Sequence, residues 1–237
     1  MAKHRINYPK IITISRGILA AGILCWGVIP SRYYKIKQKY HTKIKDFKVL
    51  YLTFDDGPNN VWTPKLLDLL KEYNVKATFF TVADFAVNNP EIIFRMKAEG
   101  HYIALHSAAH NNALLQTRKA TKADFARADK EMKKLNIDVH EFRPPWGDVS
   151  FSSLKEIKKR NWRLIDWDVM AEDWKGNTTS NIISDKLRKR VKPGCIICLH
   201  DGRGKNEAPS RTIEALERML PQWLSEGYTF LTIDNYG

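Results

Sequence analysis

The chain has 237 residues, 43% hydrophobic and 27% charged, which suits one domain with a sizeable core and excludes disorder as its main state. Its three cysteines, Cys25, Cys195 and Cys198, are too few for a disulfide scaffold. The net charge of +13 is unevenly placed: residues 1–48 carry +10 and residues 49–237 only +3. The basicity therefore belongs to an N-terminal appendage, and no nucleic-acid partner is expected.

Residues 1–10 are basic, with Lys3, Arg5 and Lys10. Residues 11–30 follow with one charge, Arg16, and an apolar run over 17–29 that is shorter than the roughly 20 residues of a comfortable membrane span. The charged-then-apolar order predicts a signal anchor, a membrane-anchor helix left in place. A cleaved secretory signal and a buried core helix are the alternatives, and no small-x-small cleavage site is clear. Residues 31–46 read as a solvated basic tether able to lie on anionic lipid or polymer. That downstream flank is the more basic one. Taken alone, it would leave the following domain in the cytoplasm.

From residue 47 the chain alternates strand-like and helix-like pieces. Strands are predicted over 47–54, 76–82, 101–105, 139–142, 162–169, 195–199 and 228–233. Helices are predicted over 64–73, 90–99, 122–135, 151–160, 179–190 and 209–226. About seven strands separated by helices are the signature of parallel βαβ units. One α/β domain is expected over 47–237.

Parallel α/β folds gather ligands at the carboxyl ends of their strands. Asp55 and Asp56 end the first predicted strand, His106 the third, Arg143 the fourth, Asp173 follows the fifth, and His200-Asp201 ends the sixth. His106 and His110 are spaced i, i+4, which on a helical turn points both rings one way and can clamp a divalent ion. Asp56 adds a hard oxygen. Zinc suits such a set best, with cobalt, manganese or iron as alternatives. Of Asp55 and Asp56, one can coordinate the metal while the other, kept ionised by a cation such as Arg143, takes a proton from metal-bound water, and His200, steadied by an Asp, can protonate a leaving group. Cys195 and Cys198 form a CxxC on a strand, where i and i+3 point to opposite faces, so both read as small apolar residues.

Thr53-Phe-Asp-Asp-Gly-Pro58, His106-Ser-x-x-His110, Arg143-Pro-Pro-Trp-Gly147, Asp173-Trp174 and Leu199-His200-Asp201 occur in this order. The set resembles the polysaccharide deacetylases, the NodB-homology family of carbohydrate esterases, over about residues 47–233. The resemblance implies a distorted (β/α) barrel of about seven parallel strands, a divalent metal, and hydrolysis of N-acetyl groups, or of O-acetyl groups in some members. It implies Asp55 as base, with Arg143 holding it, and Asp56, His106 and His110 as metal ligands. His200 is implied as general acid, oriented by Asp173, with the backbone N–H of Trp146 binding the oxyanion and Trp174 and Cys198 lining the acetyl pocket. The chain departs from the family at Met170, where another Asp is common, and at Cys198, Trp146 and Leu105.

Peptidoglycan is the expected polysaccharide substrate, met by a monomeric domain tethered outside the cell membrane. Chitin oligomers and acetylated xylan or exopolysaccharide are alternative substrates, and an inactive glycan-binding module is the non-enzyme alternative.

Overall fold

A computed structural model describes Ile29, Ser31 and residues 48–236. In chain order the elements are β1 (Val49–Asp55), α1 (Trp62–Glu72), β2 (Thr78–Thr81), α2 (Ala83–Asn88), α3 (Pro90–Ala98) and β3 (Tyr102–Leu105). They continue with α4 (Arg118–Lys134), β4 (Glu141–Phe142), α5 (Phe151–Lys159), β5 (Arg163–Leu164), β6 (Val169–Met170), α6 (Ser180–Arg190), β7 (Ile196–His200), α7 (Ala208–Ser225) and β8 (Thr229–Phe230). Every strand pairing is parallel, in the order β5-β4-β3-β2-β1-β7-β6, with β8 against the start of β1.

The order explains the curl. β5 and β6 stand at opposite ends of the list, yet only residues 165–168 join them. An extended link of that length reaches about 18 Å at most, so the two edges must approach one another. The result is a curled, barrel-like sheet of parallel strands.

This is also where the predicted strand over 162–169 divides in two. The Asp166 carbonyl accepts a hydrogen bond from Arg143 Nη2 at 3.1 Å, and Asp168 Oδ2 accepts from the Ile196 N–H at 2.9 Å. Side chains thus take over pairings that a continuous strand would have made. The short helix α2 was not foreseen either. Its start is tied in when Ala83 N and Asp84 N donate to the carbonyls of Ser107 and Ala108.

Strand alternation sorts the sheet's two faces. Leu50, Leu52 and Phe54 of β1 pack outward with Phe79, Ile197 and Leu199 against Leu66, Leu67, Leu70, Leu216 and Leu220 of the helices. Tyr51, Phe80, Ala104 and Ile196 face inward around Ile165 and Ile233. Thr53 and Asp55 share the parity of Tyr51, and their register partners on β7 are Cys198 and His200. The inner face is apolar at the bottom and ends in ionisable groups at the carboxyl rim.

The predicted anchor and tether lie outside the described residues except at Ile29 and Ser31. Among the described residues no helix is long and apolar enough to cross a membrane. Ser31 departs from a solvated tether: it is buried, and its hydroxyl accepts from Val149 N at 2.9 Å and donates to Val149 O at 3.2 Å.

Candidate active site

Three polar donors meet at the carboxyl ends of β1 and β3. Asp56, His106 and His110 each direct one ligand atom into a cluster whose atoms all lie within 4.8 Å of one another. His110 Nε2 is 2.8 Å and His106 Nε2 3.3 Å from Asp56 Oδ1. His106 donates from Nδ1 to the Arg143 carbonyl at 2.8 Å, which fixes the ring with Nε2 directed at the carboxylate. Asp56 Oδ1 is buried without a hydrogen-bond partner. Two imidazole nitrogens and a buried carboxylate oxygen converging at this range are a donor set that fits a divalent cation. Burial would raise the Asp56 pKa, but the two imidazoles and the charge of His200 hold it well below the usual carboxylate range.

The two histidines converge differently from the helical turn predicted. Residues 106–110 form a loop leaving β3, in which Ser107 (φ 71°) and His110 (φ 57°) take left-handed conformations. Asp56 is left-handed as well, at φ 74°. Such backbone is costly for residues other than glycine and tends to mark functional sites. Ser107 Oγ accepts from His110 N at 2.8 Å and fixes the reversal.

Asp55 stands beside the cluster with its own partner. Arg143 is fully buried; its Nη1 donates to Asp55 Oδ1 at 2.6 Å and to Thr53 Oγ1 at 2.7 Å. The guanidinium carbon lies 3.9 Å from the centre of the Phe80 ring, a cation–π contact. Cys198 is fully buried with its Sγ 3.4 Å from Asp55 Oδ2, and burial pushes its thiol pKa well up. Cys195 belongs to the outer core, and both cysteines are free.

His200 reaches the same rim from β7, the seventh strand, because the division of the fifth adds one. Asp173, which accordingly follows β6, accepts from His200 Nδ1 at 2.9 Å and from His200 N at 2.8 Å. Burial would lower the imidazole pKa, but the Asp173 carboxylate, aided by Asp56 and Asp55, raises it to about 9. Trp174 packs edge-on against His200, with ring centroids 5.1 Å apart. Trp146 is exposed and left-handed (φ 57°), with its ring centroid 4.4 Å from that of His110. Of the departures, Leu105 is buried in the outer core and its carbonyl accepts from Arg143 N at 3.0 Å, while the Met170 carbonyl accepts from Arg190.

Some supporting residues were not singled out from sequence. Thr53 was findable, since it lies two residues before Asp55 on the same strand face. Thr212, whose hydroxyl donates to Asp173 Oδ2 at 2.9 Å, carried no local signal. Asp201, which the sequence placed at a strand end without a role, is buried and takes a 2.5 Å hydrogen bond from Thr63 Oγ1; burial, with the charges of Asp56 and Asp55, lifts its pKa to about 7. It sits so close under the Asp56-Gly57 turn that a Cβ on Gly57 would lie 2.3 Å from its carboxylate.

A curled parallel sheet with an Asp–His–His cluster at its carboxyl rim, flanked by Asp55–Arg143 and His200–Asp173 pairs, is the architecture of a metal-assisted hydrolase. The chain belongs to the polysaccharide deacetylase family, whose model matches residues 42–165. It is 35% identical over 192 residues to the peptidoglycan-N-acetylmuramic acid deacetylase of Bacillus subtilis, covering 79% of this chain and 71% of that protein. A peptidoglycan-N-acetylglucosamine deacetylase of Bacillus cereus is 34% identical over 183 residues, 77% of this chain and 66% of its own length. Among solved structures, a family 4 acetyl xylan esterase from Clostridium thermocellum in complex with cobalt superposes with a TM-score of 0.71 at 32% identity, over 78% of this chain and 88% of the other.

Proposed function

We propose that the protein removes N-acetyl groups from the amino sugars of peptidoglycan, releasing acetate and leaving a free amine. The observation that carries the reading is the pair of oppositely suited proton-transfer groups, Asp55 and His200, that neighbouring strands bring together beside the Asp56–His106–His110 cluster. Asp55 accepts the proton of the water that attacks the acetyl carbonyl. The C–N bond then breaks, and the His200 imidazolium gives its proton to the departing nitrogen. Asp56, His106 and His110 would hold a divalent ion, zinc suiting them best, and that ion would supply Lewis acidity at the acetyl group.

Arg143 fixes Asp55 in place through one carboxylate oxygen and leaves the other turned toward the cluster. Asp173 holds the tautomer and the charge of His200. The N–H of Trp146 stabilises the oxyanion, and Trp174 with Cys198 closes the wall around the acetyl methyl. Support for the polymer comes from the two wall-acting relatives. The catalytic domain spans 47–237 and works as a monomer outside the cell, held by residues 11–30 as a single-pass membrane anchor.

The test is acetate release from peptidoglycan, chitin oligomers and acetylated xylan by the purified chain, with and without chelator. Peptidoglycan should lose acetate fastest, chelation should stop the reaction, and zinc or cobalt should restore it. Acetate from xylan alone would make the protein an esterase instead.

A further inference from the structure

Away from the cluster, one surface combines cations with exposed apolar side chains. A groove of about 610 Å³ runs between α4 and α5, lined among others by Arg118, Lys122, Phe151, Lys155 and Lys159. Its one acid, Glu156, is bonded to Arg160 at 2.5 Å, so the groove keeps an excess of positive charge. Phe151 is 54% exposed and the neighbouring loop carries Leu115 at 86%. Aromatic and apolar groups beside lysines are the composition of a surface that sits in a headgroup layer.

The position of Ser31 says which layer. It is the first residue after the apolar stretch 11–30, and its buried hydroxyl is bonded to Val149, two residues before α5 begins. The end of that stretch is therefore pinned at the edge of this groove. An anionic wall polymer would account for the lysines but not for Leu115 and Phe151.

We propose that this face rests on the anionic headgroup surface of the membrane, an inference that builds on the membrane attachment proposed above. It has a consequence for the substrate. The starts of α4 and α5 lie on the same rim as the carboxyl ends of β3 and β4. Asn112 Nδ2 donates to Asp148 Oδ2 at 3.1 Å and joins the two loops, the first of which holds His110 and the second Trp146. Docking this face sets the catalytic rim beside the bilayer, so the glycan reached is the glycan nearest the membrane.

The test uses the full chain with Cys25→Ser and a fluorophore on Ser152→Cys, or on Lys155→Cys if the first does not fold. A control probe sits on Lys71→Cys, exposed at the far end of α1. Vesicles of phosphatidylcholine, with or without phosphatidylglycerol, carry a lipid quencher. Flotation first separates attached chain, so loss of the anchor registers as failure to float and is distinct from failure of the docking.

In floated chain with phosphatidylglycerol, quenching at position 152 should exceed that at 71 by about twofold or more. Combined Lys122→Glu, Lys155→Glu and Lys159→Glu changes should erase the difference in the Ser152→Cys protein while leaving acetate release from soluble oligomers unchanged. Equal quenching at 152 and 71 would overturn the proposal. So would a difference that survives charge reversal, or protection of the 152 probe by a soluble polyphosphate in place of lipid.

Discussion

His200 shows how one neighbour decides a residue's chemistry. Burial alone would leave it neutral at physiological pH, but Asp173 raises its pKa to about 9. With that carboxylate neutralised in Asp173→Asn, the burial effect should prevail and the His200 pKa should fall. The alkaline limb of the kcat/KM profile should then move toward acid, which a pH–rate series on a soluble oligomer would detect; an unmoved limb would assign the acid to another group. His200→Ala should lower kcat by about 10²–10⁴, the usual range for a positioned proton-transfer group. Much of this was legible in sequence, because the His-Asp and Asp-Asp strings end strands. What was not legible is Thr212: it reaches Asp173 from α7, and nothing in the sequence around either residue announces the contact.

At the scale of elements, turn chemistry carries the site. The Asp56-Gly57 turn lies on Asp201, and a Cβ on Gly202 would come within 2.0 Å of the Asp56 carbonyl, so two glycines let two loops stack in contact. Gly57→Ala should displace Asp56 from the two histidines, weakening metal retention at least as much as it lowers the thermal midpoint. Metal analysis alongside a melting curve would check this. By contrast, Thr117 caps α4 through a bond from Ala120 N at 3.2 Å, and Thr117→Ala should cost about 1 kcal/mol of stability with turnover unchanged. Hydrophobic periodicity located the long helices and strands well. It missed the break at 165–168, where Asp166 and Asp168 divert backbone pairing, because those bonds depend on Arg143 and Ile196 from distant parts of the chain. The i, i+4 histidines were found for a reason the structure corrects, since left-handed Ser107 and His110, and not a helical turn, bring them together.

For the whole molecule, the arrangement of strands matters more than any one of them. Bringing β5 and β6 to opposite edges of a single curled sheet places segments from residue 53 to residue 212 around one rim. The full chain should float with uncharged phosphatidylcholine vesicles, and a chain beginning at residue 47 should not; co-flotation of the shortened chain with those vesicles would give the attachment to the domain itself. Holding the ion and moving the proton are separate tasks assigned to neighbouring carboxylates. Bound divalent ion and acetate release, measured together on Asp55→Asn and Asp56→Asn, test this division. Asp55→Asn should keep its ion while losing about 10²–10⁴ in turnover, and Asp56→Asn should lose both. An Asp55→Asn protein that turns over normally, or an Asp56→Asn protein that keeps both ion and activity, would contradict it.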